Sequence, residues 1–162
     1  MYILVYTMLL LEITKAFQDE GIDFVILGGY AVALHGVVRG TVDIDLALAL
    51  TQDSFTKAEM VLTSMGFMSR LPVKSKEMFQ FRNEYAENRN LIAWSFYDPI
   101  NPIRQIDILT LIDARKIKKT IKKVHGSGVP IASLPDLIRI KKASARPQDL
   151  EDVKALELLK RS

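Results

Sequence analysis

The chain has 162 residues, 49% of them hydrophobic and 25% charged, with a net charge of +3; this is the makeup of one soluble globular domain and excludes a disordered or collagen-like chain. At this length about 70% of the unfolded surface is buried on folding, so a core forms without covalent staples; there is no cysteine, which excludes a disulfide framework, a thiolate metal site, a cysteine nucleophile and thiol redox chemistry and agrees with a cytoplasmic setting. The two histidines, His35 and His125, are far apart, so a zinc site would need carboxylates to complete it, and the mild basic excess permits polyanion binding without the charge density of a nucleic-acid coat.

Residues 1–11 are apolar but lack a basic leader and a small-residue cleavage site and are too short to span a bilayer, so neither an export signal nor a membrane anchor is expected. Met8 is a second possible start. Leu10, Ile13 and Phe17 at helical spacing predict a helix over 10–20, stopped by Gly21. A short apolar run over 23–27 reads as a buried strand. Gly28-Gly29 follows it, then an Ala/Leu-rich helix over 30–36.

Over 41–48 the residues alternate, with Val42, Ile44 and Leu46 on one face and Asp43 and Asp45 on the other, as a strand requires. A second long helix is expected over 54–65, capped by Asp53 or Ser54 and stopped by Gly66. Strands are expected over 78–82, 91–97 and 105–111, the last two separated by the turn Asp98-Pro-Ile-Asn-Pro102. Lys116, Lys118, Lys119, Lys122 and Lys123 form either a solvated face or a guide for RNA.

A short strand over 129–132 leads to Ser133 and Asp136, spaced as a capping box with Pro135 in the first turn of a helix. Pro147 opens a last helix with Leu150, Val153, Leu156 and Leu159 as its apolar stripe. No repeat, linker or boundary interrupts the chain. The expected fold is α/β, one domain over 1–162. A small mixed sheet is backed by helices on one face and carries the acids on the other, and the helical pair over 133–162 closes the cleft.

Asp43 and Asp45 share a strand face, where two like charges repel unless a cation neutralises them; for hard oxygen ligands the economical cation is a divalent metal, magnesium first and manganese as a substitute. Asp107 is the third candidate, a single acid within an apolar strand. The plainer alternatives are a solvated outer face for Asp43 and Asp45 and a salt bridge from Asp107 to Arg104 or Arg39. Gly28-Gly29 is either a tight turn or a place where backbone approaches a triphosphate. Arg39 serves either the acid cluster or a triphosphate. Lys142 and Arg146 either sit by a helix terminus, with Asp149 and Asp152 favouring the next helix dipole, or bind phosphate. His35 reads as packing, and Trp94, Phe96 and Tyr97 as core.

Leu27-Gly28-Gly29, the spacer 30–42, Asp43-Ile44-Asp45-Leu46 and the later Asp107 together resemble the nucleotidyltransferase superfamily of the DNA polymerase beta type. Gly-Gly-Tyr-Ala-Val-Ala-Leu-His-Gly36 and Arg39-Gly-Thr-Val-Asp-Ile-Asp45, with Lys142, Arg146, Asp149 and Asp152 in the tail, look like the small branch that includes AbiEii-type toxins. The antitoxin subgroup that usually reads Gly-Ser-Arg-Ala-Arg-Gly is a poorer match. The resemblance implies the nucleotidyltransferase fold and transfer of a nucleoside monophosphate from a triphosphate to a hydroxyl. It implies catalytic and metal-binding Asp43, Asp45 and Asp107, and nucleotide-binding Gly28, Gly29, Arg39, Lys142 and Arg146. An RNA or protein acceptor and a cognate antitoxin are the implied partners. The rival classes are a non-catalytic, antitoxin-like binding module and an RNA-binding adaptor.

Overall fold

A computed structural model describes residues 2–162, with side chains from Thr7 onward. Among these residues the chain runs α1 (Tyr2–Asp19), β1 (Phe24–Leu27), α2 (Gly28–Leu34), β2 (Ile44–Leu48), α3 (Gln52–Ser64), β3 (Met68–Ser69), α4 (Ser75–Gln80) and α5 (Arg82–Arg89). It continues through β4 (Ala93–Tyr97), β5 (Gln105–Leu109), a 3-10 turn at Ala114–Lys116, β6 (Lys119–Val124), β7 (Ser127–Ala132), α6 (Leu134–Ser144) and α7 (Pro147–Lys160). No described helix is long and apolar enough to cross a membrane.

The strands form one mixed sheet in the order β3-β4-β5-β2-β1-β7-β6. At seven strands it is larger than the small sheet expected, because β3 and β6 add an edge on each side. β1 lies between an antiparallel β2 and a parallel β7. All four of its residues are buried, which is why it reads as an unbroken apolar run rather than an alternating one.

The register sorts the side chains by face. Ile26 lies opposite Leu46, Leu46 opposite Ile108, and Ile108 opposite Trp94. This apolar face holds the aromatic core, where Phe55 of α3 stacks on Trp94 with centroids 5.8 Å apart and Phe17 of α1 meets Phe24 edge-on at 5.3 Å. The other face carries Leu27, Asp45, Asp107 and Ser95 in one row.

Residues 78–82 are not a strand. They belong to α4 and α5, because Ser75 and Met78, three apart, both turn inward while Lys76 and Glu77 face solvent. Phe79 adds an edge-on contact to Phe55 at 5.3 Å. The apolar run was too short to distinguish a period of two from one of 3.6.

The lysines over 115–123 lead into β6, an edge strand whose residues alternate between exposed and half-buried. Lysine at an edge discourages pairing with another chain. The N-cap of α3 is Thr51, whose hydroxyl accepts from the Ser54 amide at 3.1 Å, rather than Asp53 or Ser54. Ser133 does cap α6, but the Asp136 carboxylate accepts from the Lys118 amide at 2.7 Å instead of returning to Ser133, so only half of the expected box forms. On α7, Leu150 is exposed, because Asp149 and Asp152 occupy the inward positions beside Val153 and Leu156.

The helical placement of Met78 predicts that Met78→Ala loses about 2–5 kcal/mol in urea unfolding. Lys76→Ala, two residues away on the solvent side, should stay within about 0.5 kcal/mol of the parent.

Candidate active site

The site begins where β1 ends. Leu27 pairs with Asp45, and Asp45 lies directly beside Asp107 on the parallel strand β5. Neighbouring strands are about 4.8 Å apart, so the two carboxyl groups are within hydrogen-bonding reach. Burial first, then the Asp107 charge, the hydrogen bond shared with Asp107 and the Asp43 charge push the Asp45 pKa up to about 7, with Lys141 opposing. Burial and Asp107 also raise Asp43, against the pull of Arg70. The three predicted acids therefore sense one another electrostatically.

The glycine pair is explained by these neighbours. Gly28 opens α2 in the left-handed region at φ +61, and a Cβ there would come within 2.8 Å of both Cβ and Cγ of Asp45. A Cβ on Gly29 would lie 2.6 Å from Cβ of Thr41. The space that these glycines leave open is thus occupied by Asp45 and Thr41 themselves, so the glycines bring the acid up against the end of β1.

One polar support was not anticipated from the sequence. Gln105 donates from Nε2 to Asp107 Oδ1 at 3.0 Å, and its own Oε1 accepts from Nε and Nη2 of Arg70 at 3.0 and 2.7 Å. The signal was present in the i, i+2 spacing of Gln105 and Asp107. Arg70, thirty-five residues away in sequence, had none. Arg104, one of the two partners considered for Asp107, pairs with Glu12 and Asp98 instead.

The second half of the site comes from α6, α7 and the segment before β2. Lys141 is buried, with Nζ 2.9 Å from Asp152 Oδ2 and 3.4 Å from Asp149 Oδ1. Arg39 Nε donates to Asp152 Oδ1 at 2.9 Å, and Arg146 Nε donates to Asp149 Oδ2 at 2.8 Å. Although burial alone would raise Asp149 and Asp152, the hydrogen bonds and charges of Arg146, Ser144, Arg39 and Lys141 hold both below the usual carboxylate range.

Arg39, the other partner considered for Asp107, is thus engaged by Asp152. Lys142, expected to bind nucleotide, points elsewhere. It pairs with Glu157 at 3.2 Å with its side chain 58% exposed, and it is not among the cavity-lining residues. One residue along a helix turns the side chain by about 100°, and the inward position belongs to Lys141. His35 is structural, with Nε2 2.8 Å from the Ala132 carbonyl.

These groups surround a cavity of about 1260 Å³ lined by Gly28, Gly29, Arg39, Asp43, Asp45, Asp107, Lys141 and Arg146, with Thr41, Ser144 and Asp149 and a larger set of apolar residues completing the wall. Its cations lie toward α6 and α7 together with Asp149, and Asp43, Asp45 and Asp107 lie at the sheet. Among the described residues no three acid or histidine side chains close around an ion by themselves. Asp45 and Asp107 are nevertheless an oxygen donor pair whose mutual repulsion a divalent cation would relieve, and magnesium is ordinarily held by one or two carboxylates with phosphate and water completing its shell. The donor set fits that ion.

The fold is found in known structures. No protein-family model and no curated protein matches the sequence. Among solved structures, the antibiotic-resistance factor ANT(2″)-Ia in complex with adenylyl-2″-tobramycin is similar with a TM-score of 0.60 at 14% identity, over 94% of this chain and 93% of that one. A nucleotidyltransferase from Thermotoga maritima gives 0.63 at 16% identity, over 98% and 94%. The lincosamide antibiotic adenylyltransferase LnuA, bound to lincomycin, gives 0.62 at 14%, over 93% and 96%. The chain has the nucleotidyltransferase fold.

Two outcomes follow from the electrostatics. Because the folded-state pKa of Asp45 lies above the ordinary 3.8, its contribution to stability is complete below about pH 4 and is lost as pH rises through about 7. Without divalent metal, Asp45→Asn should therefore be more stable than the parent at pH 8, by about 1 kcal/mol or more, and the difference should vanish by pH 4 in urea unfolding. Lys141→Met leaves Asp149 and Asp152 short of a buried cation and should lower stability by about 3–5 kcal/mol in the same measurement.

Proposed function

We propose that this chain is a nucleotidyltransferase that moves a nucleoside monophosphate from a nucleoside triphosphate to a hydroxyl acceptor, releasing pyrophosphate. The observation that carries the reading is the side-by-side placement of Asp45 and Asp107 against the Gly28 turn, facing a wall that holds Arg39, Lys141 and Arg146. The resistance factor bound to adenylyl-2″-tobramycin and the lincosamide antibiotic adenylyltransferase, which share the fold, support the reaction class.

In this reading Asp43, Asp45 and Asp107 hold magnesium, or manganese in its place. When bound, the ion neutralises the acids, binds the triphosphate and lowers the pKa of the attacking hydroxyl. Lys141, Arg39 and Arg146 face the triphosphate, the two arginines by planar, charge-assisted contacts. The Gly28-Gly29 backbone lies beside its terminal phosphates. Asp107, oriented by Gln105, takes the acceptor proton. The acceptor oxygen bonds to the α-phosphorus as the bond from that phosphorus to the pyrophosphate oxygen breaks.

The finer reading, an AbiEii-type member with a cognate antitoxin, rests on the tail network of Arg146, Asp149 and Asp152, with Lys141 in the place first given to Lys142. A triphosphate-consuming reaction and a chain without cysteine agree with the cytoplasm. Asp43→Asn and Asp45→Asn should each abolish magnesium-dependent labelling by α-radiolabelled triphosphate, and undiminished labelling would refute the assignment. Metal should stabilise the parent, but not Asp45→Asn, in thermal unfolding.

A further inference from the structure

We propose that the part of the cavity beyond Asp107 is the acceptor subsite and that it takes a neutral hydroxyl compound with an apolar face; the assignment rests on the nucleotidyl-transfer reading above and names its acceptor class. The sheet order β4-β5-β2-β1 places the Gly28 turn on one side of the Asp45–Asp107 pair and β4 on the other. The cations that line the cavity among the described residues are Arg39, Lys141 and Arg146, contributed by the segment before β2 and by α6 and its junction with α7. The triphosphate belongs on that side.

The opposite side is of different composition. Leu109 lies two residues beyond Asp107 on β5 and so on the same face. It pairs with Ala93 of β4, and both line the cavity. Ile92 follows at the lip, 50% exposed, and Val42, 40% exposed, flanks Asp43 within the same lining. No lysine or arginine of the lining comes from β4 or β5. The nearby Arg70 is held by Gln105 and stacks on the Tyr97 ring at 4.6 Å.

A polyanion would lay its phosphates over this apolar floor with no cation to meet them, whereas affinity for nucleic acid comes mainly from phosphate neutralisation. The lysines of β6 lie at the far edge of the sheet, beyond β2, β1 and β7 from β5. The cavity, about 1260 Å³, also exceeds the roughly 300–1,000 Å³ typical of a single small-molecule site, which leaves room for an acceptor beside the nucleotide.

The test uses the full chain with magnesium and α-radiolabelled triphosphates, offering 4-phenylbutanol, bulk transfer RNA and tobramycin as neutral, anionic and cationic acceptors. Nile red, a neutral apolar dye, reports the subsite independently of turnover. Labelling of the alcohol above the other two is expected, with dye binding that the alcohol displaces. Ile92→Glu and Ala93→Glu should weaken dye binding about tenfold or more, since each sets a charge against an apolar ligand, while triphosphate binding by calorimetry is retained. The exposed Ile92 keeps the test sound if Ala93→Glu fails to fold. Preferential labelling of RNA or tobramycin overturns the proposal, as does dye binding indifferent to both substitutions. A chain that binds no triphosphate with metal overturns instead the nucleotidyl-transfer reading.

Discussion

Two carboxyl groups side by side on neighbouring strands repel each other, and the organisation of the site follows from that repulsion. The parallel register of β2 and β5 fixes Asp45 next to Asp107, and like charges directly opposite on a sheet are destabilising. In the protein alone, burial and then the Asp107 charge favour a proton on Asp45 and push its pKa up to about 7. Placing the pair at the mouth of a cavity lets a cation relieve the repulsion instead. The surrounding elements therefore hold together two acids that repel each other and whose charged forms are disfavoured by burial.

The apolar face of the sheet makes that strain tolerable. Ile26, Leu46, Ile108 and Trp94 are packed beneath the acids, so the strands cannot slip by one residue without turning a core face to solvent. The register that brings the acids together is thus enforced by burial on the opposite side. Gly28 completes the arrangement, since any larger residue would collide with Asp45. Arg70 and Gln105 hold Asp107 from the other end.

At α6 and α7 three cations are paired with two buried acids. Lys141 stands between Asp149 and Asp152, and Arg39 and Arg146 close the group from outside. Each of these cations has an acid partner. This accounts for the inward acids of α7, which displace Leu150 from the apolar stripe that its spacing indicated.

Much of this was legible along the chain. Strand alternation put Asp43 and Asp45 on one face, a lone acid in an apolar strand marked Asp107, and the glycine pair marked the turn, because these are local patterns of period two and of backbone freedom. Residues 78–82 were misread since three apolar residues within a five-residue segment fit either period, and the helix brings Phe79 against Phe55.

Lys142 was named from the sequence and Lys141 was missed, because sequence spacing does not give the rotational phase of a helix against its neighbours. Local patterns along the chain set the chemical types and the strand faces they occupy. Packing set which strand lies beside which, which lysine points inward, and that Arg70 reaches Asp107 through Gln105. Those are long-range pairings set by packing, and they leave no periodic trace in the chain.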